Sequence, residues 1–255
     1  MSEVPSSDAL QEKLRGWLES SGRALELRVA RTLQRVGEAV VRPSIHYVDT
    51  VTGTPRESDV VAHFRWSGPQ GTPCSITMAV ECKSGTKYPW VAFYTDDSAT
   101  HVPSLKEWAI IAHGPFNGVI APIEKLWRGH SPFVPNPVAT HVVSAMGKDD
   151  HNPAGDAVRQ VLSCTSALKQ EYLNTQSTSP RGVVLLAAVV TSAPLFKCRL
   201  AGDGSIQLEP TDSFDVWGYD TDGVRHRVFI ESESSLHGFA IALRDRVHDA
   251  GLASN

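Results

Sequence analysis

The sequence is short of long apolar runs. Among its 255 residues, no stretch reaches the roughly 18–20 uncharged apolar residues that a membrane helix needs. The longest, Val183 to Val190, is strand-sized. It also lacks an excess of positive charge: 24 Lys and Arg face 28 Asp and Glu, for a net charge of −4. That balance argues against a protein that coats nucleic acid non-specifically. It leaves room for a local site at which a metal ion meets phosphate. Cysteine is sparse. Cys74, Cys82, Cys164 and Cys198 form no C-x-x-C pair, which excludes a zinc ribbon or finger and predicts buried free thiols in a reducing compartment. No G-x-x-x-x-G-K-[ST], G-x-G-x-x-G or G-x-S-x-G segment occurs, so P-loop, dinucleotide-binding and serine-hydrolase signatures are missing. The ten histidines are scattered, and His101, His113 and His130 have no H-x-x-x-H partner. The first residues, MSEVPSSDAL, lack a basic start followed by an apolar block, so a cytoplasmic protein is expected.

What is there is an ordinary globular balance, 41% hydrophobic and 20% charged, with no internal repeat. Ala9–Leu18 reads as a short helix with Leu10, Leu14, Trp17 and Leu18 on one side. A second helix covers Arg23–Val36 and stops at Gly37. Three strand-like runs follow, Ala39–Val51, Ser58–Trp66 and Ser75–Lys83, separated by Gly- and Pro-rich turns. Residues 84–152 suggest short helices at 104–111 and 121–127 and a strand at 139–145. Pro153–Leu173 predicts a helix, with Asn152 as its cap and Pro153 in its first turn. Gly182–Thr191 predicts a buried strand, followed by strands near 195–200, 205–209, 214–219 and 227–230 and a last helix over 234–247. This order predicts an α/β sandwich with a mixed sheet, in which the 153–173 helix is the crossover.

One cluster carries chemistry. In Ile76–Lys83 the strand period places Glu81 and Lys83 on one face, with Thr77 and Ala79. Glu81-Cys82-Lys83 is the sole [DE]-x-K in the chain. Asp59 stands at the start of the preceding strand, and a hairpin turning near Gly68–Pro73 brings it toward Glu81. Adjacent carboxylates repel and favour a hard divalent cation between them. Glu26 falls on the apolar stripe of the second helix with Gly22, Val29, Ala30, Leu33 and Val36. A carboxylate there is costly unless it is paired, metal-bound or able to reach solvent. Read blandly, Glu81 and Lys83 are an ion pair on a half-exposed strand.

Together Glu26, Asp59 and Glu81-Cys82-Lys83 resemble the PD-(D/E)XK nuclease superfamily. The stretch Glu26–Gly37 looks like the start of endonuclease domains of the type IV restriction class. The likeness is good over residues 20–95 and looser to about residue 191; Ser58 stands where the motif's proline would precede Asp59. It implies a three-layer α/β/α sandwich with a central mixed sheet, formed by residues 1–193 with an insertion at about 96–152. Residues 194–255 would extend the same domain.

The resemblance further implies an Mg²⁺- or Mn²⁺-dependent endonuclease hydrolysing DNA phosphodiester bonds, of a restriction or phage-defence type. Asp59, Glu81, Glu26 and the backbone carbonyl of Cys82 would hold the metal, and Lys83 would orient or deprotonate the attacking water. Lys87, Tyr88 and Trp90 directly follow the motif and are candidates for phosphate contact or base stacking, with core packing the alternative for Trp90. Arg28, Arg31 and Arg35 recur at helical spacing and face either a phosphate backbone or solvent. A homodimer would supply the second site that a duplex break needs, and partner proteins of a defence system are expected. The competing expectation is a catalytically inactive module of the same fold that binds nucleic acid or a partner protein.

Overall fold

The computed structural model describes residues 7–37, 39–49, 52–67, 73–85, 87–95, 110–111, 137–147, 152–174, 182–220 and 222–252. In chain order the elements are α1 (Ser7–Ser20), α2 (Arg23–Arg35), β1 (Ala39–Val48), β2 (Pro55–Ser67), β3 (Pro73–Lys83), β4 (Trp90–Phe93), β5 (Ile110–Ile111), β6 (His141–Ser144), α3 (Pro153–Asn174), β7 (Gly182–Thr191), β8 (Leu195–Leu200), β9 (Ile206–Thr211), β10 (Ser213–Tyr219), β11 (Arg225–Ser232) and α4 (Leu236–Leu252). The fold is mixed α/β. A mixed sheet runs in the order β1-β2-β3-β7-β11-β10, and a smaller sheet in the order β6-β4-β8-β9.

The main sheet is antiparallel through β1, β2 and β3 and parallel from β3 through β7 to β11. Parallel neighbours need a crossover, and α3 lies between β3 and β7 in the chain. Every residue of β7 is buried, as befits a central strand with both faces covered. Its side chains split by parity. Val184, Leu186, Ala188 and Val190 join one core with Leu25, Val29 and Leu33 of α2 and Phe239, Ala240 and Leu243 of α4. Val183, Leu185, Ala187 and Val189 join another with Val158, Val161 and Leu162 of α3 and Trp90, Ala92 and Leu195 of the smaller sheet. The β2–β3 hairpin divides in the same way: Val60, Ala62, Met78 and Val80 face α2, and Val61 and Ala79 face α3.

Several expectations are corrected. The helix expected over 104–111 ends as strand, because Ile110 and Ile111 pair with Leu185 and Val184 of β7. There β5 takes the part of the β7 edge that β11, paired only from Ala187 onward, leaves open. The rest of that helix, the one at 121–127, and His101, His113 and His130 lie outside the described residues. Asn152 does not cap α3 with its side chain. Its Oδ1 accepts from Ser144 N at 2.9 Å and its Nδ2 donates to the Val142 carbonyl at 3.1 Å, tying the helix start to β6. The stripe on α1 is exposed: Leu14 is 49% and Trp17 59% accessible. Asp215 is buried beside Arg227. All four cysteines are free and buried.

Candidate active site

The β2–β3 ladder pairs Val60 with Val80, and Asp59 and Glu81 stand one step beyond that pair. Residues opposite each other in an antiparallel ladder share a face, so the two carboxylates emerge side by side. Asp59 Oδ2 accepts from the Cys82 backbone N–H at 2.6 Å, which fixes it against β3. Lys83 Nζ donates to Glu81 Oε1 at 2.6 Å. The end of β3 is itself held, because Thr191 Oγ1 and Ser192 N both donate to the Lys83 carbonyl, at 2.9 and 3.2 Å. Gly85 N donates to Ser192 Oγ at 2.9 Å.

Glu26 reaches this sheet end from the first turn of α2. Gly22, just before that turn, has φ +85°, and a Cβ there would sit 3.1 Å from Ser84 Oγ. The close approach seats the start of α2 against the residue that follows Lys83. Glu26 Oε2 accepts from Arg23 at 2.8 Å, and Arg23 lies 3.7 Å from Glu57. Arg23 had no sequence motif to announce it; only its place three residues before Glu26 on the helix could have.

The electrostatics follow from burial and mutual repulsion. Asp59 is pushed up to about 7, first by burial, then by the charge of Glu81; the Cys82 N–H pulls the other way and Glu26 adds a smaller push. Glu81 is also raised, chiefly by burial, with Lys83 opposing. Burial and the same carboxylates raise the Cys82 thiol well above its ordinary value, so it is no thiolate ligand. At neutral pH Asp59 is therefore close to half protonated.

Asp59, Glu81 and Glu26 all offer carboxylate oxygen, the donor type a hard divalent ion takes, and Glu26 is near enough to add to the upward push on both Asp59 and Glu81. Among the described residues, no three His, Cys, Asp or Glu side chains are grouped closely enough to hold a metal ion together. The Lys83–Glu81 and Arg23–Glu26 bonds hold oxygens that such a site would use.

The other candidates fare unequally. Trp90 is 3% exposed and packs in the core on the α3 side, so its ring is not available to a base. Lys87 is exposed, with its ammonium 5.2 Å from the Tyr88 ring centroid. Arg28 is engaged by Glu233 at 2.5 Å and Glu19 at 3.0 Å, which leaves it little freedom for phosphate. Arg31 and Arg35 are exposed.

No family model, curated protein or solved structure matches the chain. Among the described residues, no helix is long and apolar enough to cross a membrane.

Proposed function

We propose that the protein is a metal-dependent nuclease that hydrolyses DNA phosphodiester bonds, with the three-layer core and residue roles of the PD-(D/E)XK superfamily. The observation that carries this reading is the hydrogen bond from Cys82 N–H to Asp59, which sets Asp59 beside Glu81 with Lys83 at the same sheet end. Asp59, Glu81 and Glu26, with the Cys82 carbonyl, would hold Mg²⁺ or Mn²⁺. The ion's chemistry is to polarise the scissile phosphate and lower the pKa of a bound water.

The chain's own groups do the rest. Asp59 gives up its proton as the site charges. Glu81 anchors Lys83, keeping its ammonium where negative charge grows on the phosphoryl oxygens. Glu26, braced by Arg23, orients water from the α2 side. No covalent intermediate on the protein is needed. The carboxylate site gains a local positive charge only with metal, so DNA binding at that site is expected to be weak without it. A restriction or defence role, a homodimer for double-strand cutting and defence partners belong to the same proposal.

The test is supercoiled plasmid incubated with purified protein and Mg²⁺ or Mn²⁺. Nicking by wild type and its loss in Lys83→Ala support the reading. No nicking by wild type, or equal nicking by Lys83→Ala, sinks it.

A second reading has its own support. Lys83 and Arg23 already neutralise Glu81 and Glu26 in part, as in a fold that binds without cutting. Metal-independent DNA binding without cleavage would favour it.

A further inference from the structure

Four residues along β2 from Asp59, the same face of the hairpin changes character. A cavity of 500 Å³ opens between β1–β3 and the C-terminal half of α3. Arg42, His63, Arg65, Glu171 and Tyr172 are among the residues that line it. Its size is that of a small-molecule site. Register explains the gathering. Arg42 pairs with Val61 and His63 with Thr77, so Arg42, His63, Arg65 and Thr77 all project to the α3 side.

The polar groups there are organised. His63 is 9% exposed and Thr77 is fully buried. His63 Nδ1 lies 2.9 Å from Thr77 Oγ1, which lies 3.2 Å from the Tyr172 hydroxyl. Either direction of donation fits these distances; with Tyr172 donating to Thr77 and Thr77 to Nδ1, the ring proton sits on Nε2. Nε2 has no partner among the described residues. Arg42 and Arg65 are exposed and, among the described residues, neither is in an ion pair, whereas Glu171 has an interaction of its own. Burial, Arg42 and Arg65 together lower His63 to about 4, so its ring is neutral at physiological pH. The cavity thus offers two guanidiniums beside the Glu171 carboxylate and, in that tautomer, a neutral N–H donor.

We propose that this cavity binds a terminal phosphate monoester, carried by a free nucleotide or by the end of a nucleic-acid strand. Two guanidiniums and an N–H donor suit the three terminal oxygens of a monoester, where an internal phosphodiester offers only two non-bridging ones. Guanidinium forks bond phosphate oxygens in pairs, and His63 Nε2–H adds a third donor without further charge. The pocket is separate from the carboxylate cluster. Four residues of strand put it about 13 Å from Asp59. Whether a strand gripped here then feeds the carboxylates rests on the nuclease reading; the binding itself does not.

Calorimetric titration in EDTA, which removes metal from the question, tests the proposal. The probes are inorganic phosphate, thymidine 5′-monophosphate, thymidine, and oligonucleotides that are unphosphorylated, 5′-phosphorylated or 3′-phosphorylated. Expected are 1:1 binding of the monophosphate, none of thymidine, and a loss of at least roughly tenfold in Arg42→Ala/Arg65→Ala. Both arginines are exposed, and circular dichroism checks that the double variant folds. The double variant Asp59→Asn/Glu81→Gln should bind as wild type does, which separates this site from the nuclease reading. Tighter binding of either phosphorylated oligonucleotide assigns the pocket to strand ends; equal binding of all three, with the monophosphate bound, assigns it to free nucleotides. No saturable binding of phosphate or monophosphate at millimolar concentration, or undiminished binding by the arginine double variant, overturns it.

Discussion

The main sheet buries carboxylates in two places and treats them differently. In the β10–β11 hairpin, Asp215 is bonded to Arg227, a guanidinium with no solvent exposure at all. Arg227 also lies over the Phe229 ring, 5.2 Å from its centroid. Nearby, Glu231 accepts from Ser235 Oγ at 2.5 Å, and burial raises it to about 8, so it is held largely as the neutral acid. At the β2–β3 end, Asp59 has a backbone amide and a neighbouring carboxylate, and no cation bonds it directly. Lys83, the cation nearest Glu81, is 29% exposed along its side chain and able to move. A buried acid bonded to an internal guanidinium has its charge met, even though Arg227 Nε and Nη1 make no hydrogen bond among the described residues. One left with a backbone amide and a like charge is where the proposed cation would bind.

The largest contrast should appear in activity. Lys83→Ala or Asp59→Asn is expected to lower plasmid nicking by roughly 10²- to 10⁴-fold. Asp215→Asn, in the other cluster, should leave the rate per folded molecule within a few-fold. Comparable losses from both would erase the distinction.

Stability should show the reverse order. Arg227→Ala strands Asp215 in the core and is expected to cost about 3–5 kcal/mol in urea unfolding. Lys83→Ala should cost clearly less, since Glu81 can take up a proton. Arg227→Met, which fills the space but strands the same acid, should remain destabilising.

Proton linkage gives a third contrast. The folded-state values of Asp59 and Glu231 lie above their ordinary ones, so the native state holds extra protons and stability is lost as pH rises toward 7 and 8. His63 is lowered, which works oppositely between about 4 and 6.5. Above pH 6.5 the acids therefore dominate, and the melting temperature of the metal-free protein should fall toward pH 8. Glu231→Gln and Asp59→Asn should each flatten that slope. Stabilisation by Mg²⁺ should grow from pH 6 to pH 8 in wild type and Glu231→Gln, and vanish in Asp59→Asn. Thermal melts with and without Mg²⁺ decide it.

The smallest effect concerns the brace between α2 and the site. Gly22→Ala forces a side chain into the left-handed region against Ser84 and should cost about 1–2 kcal/mol, read by the same urea titration.

Much of this was legible in the chain itself. Strand parity is local, so the common face of Glu81 and Lys83 followed from Ile76–Lys83 alone. The apolar stripe of α2 likewise placed Glu26, although Leu25, 1% exposed, joins that buried face unannounced. The carboxylate pair required only that a hairpin close near Gly68–Pro73. Other features were not legible, because they depend on partners remote in sequence. Nothing local distinguishes Asp215, locked to Arg227, from the turn residue Asp220, whose carboxylate accepts from the backbone N–H of Asp222 and Val224. Trp90 reads equally well as a stacking platform or a core residue until β4 pairs with β6 and β8.

The sequence by itself thus determined most of the elements outside 84–152, the faces of the β2 and β3 strands and the absence of familiar nucleotide-binding and zinc signatures. Periodicity and turn chemistry act over a few residues and leave their mark there. Only the tertiary structure decided that Glu26 comes near enough to Asp59 and Glu81 for its charge to act on both. Only it set Arg42, His63 and Arg65 around one cavity under α3. Those meetings depend on register and crossover, and both are set by which distant surfaces can be buried together.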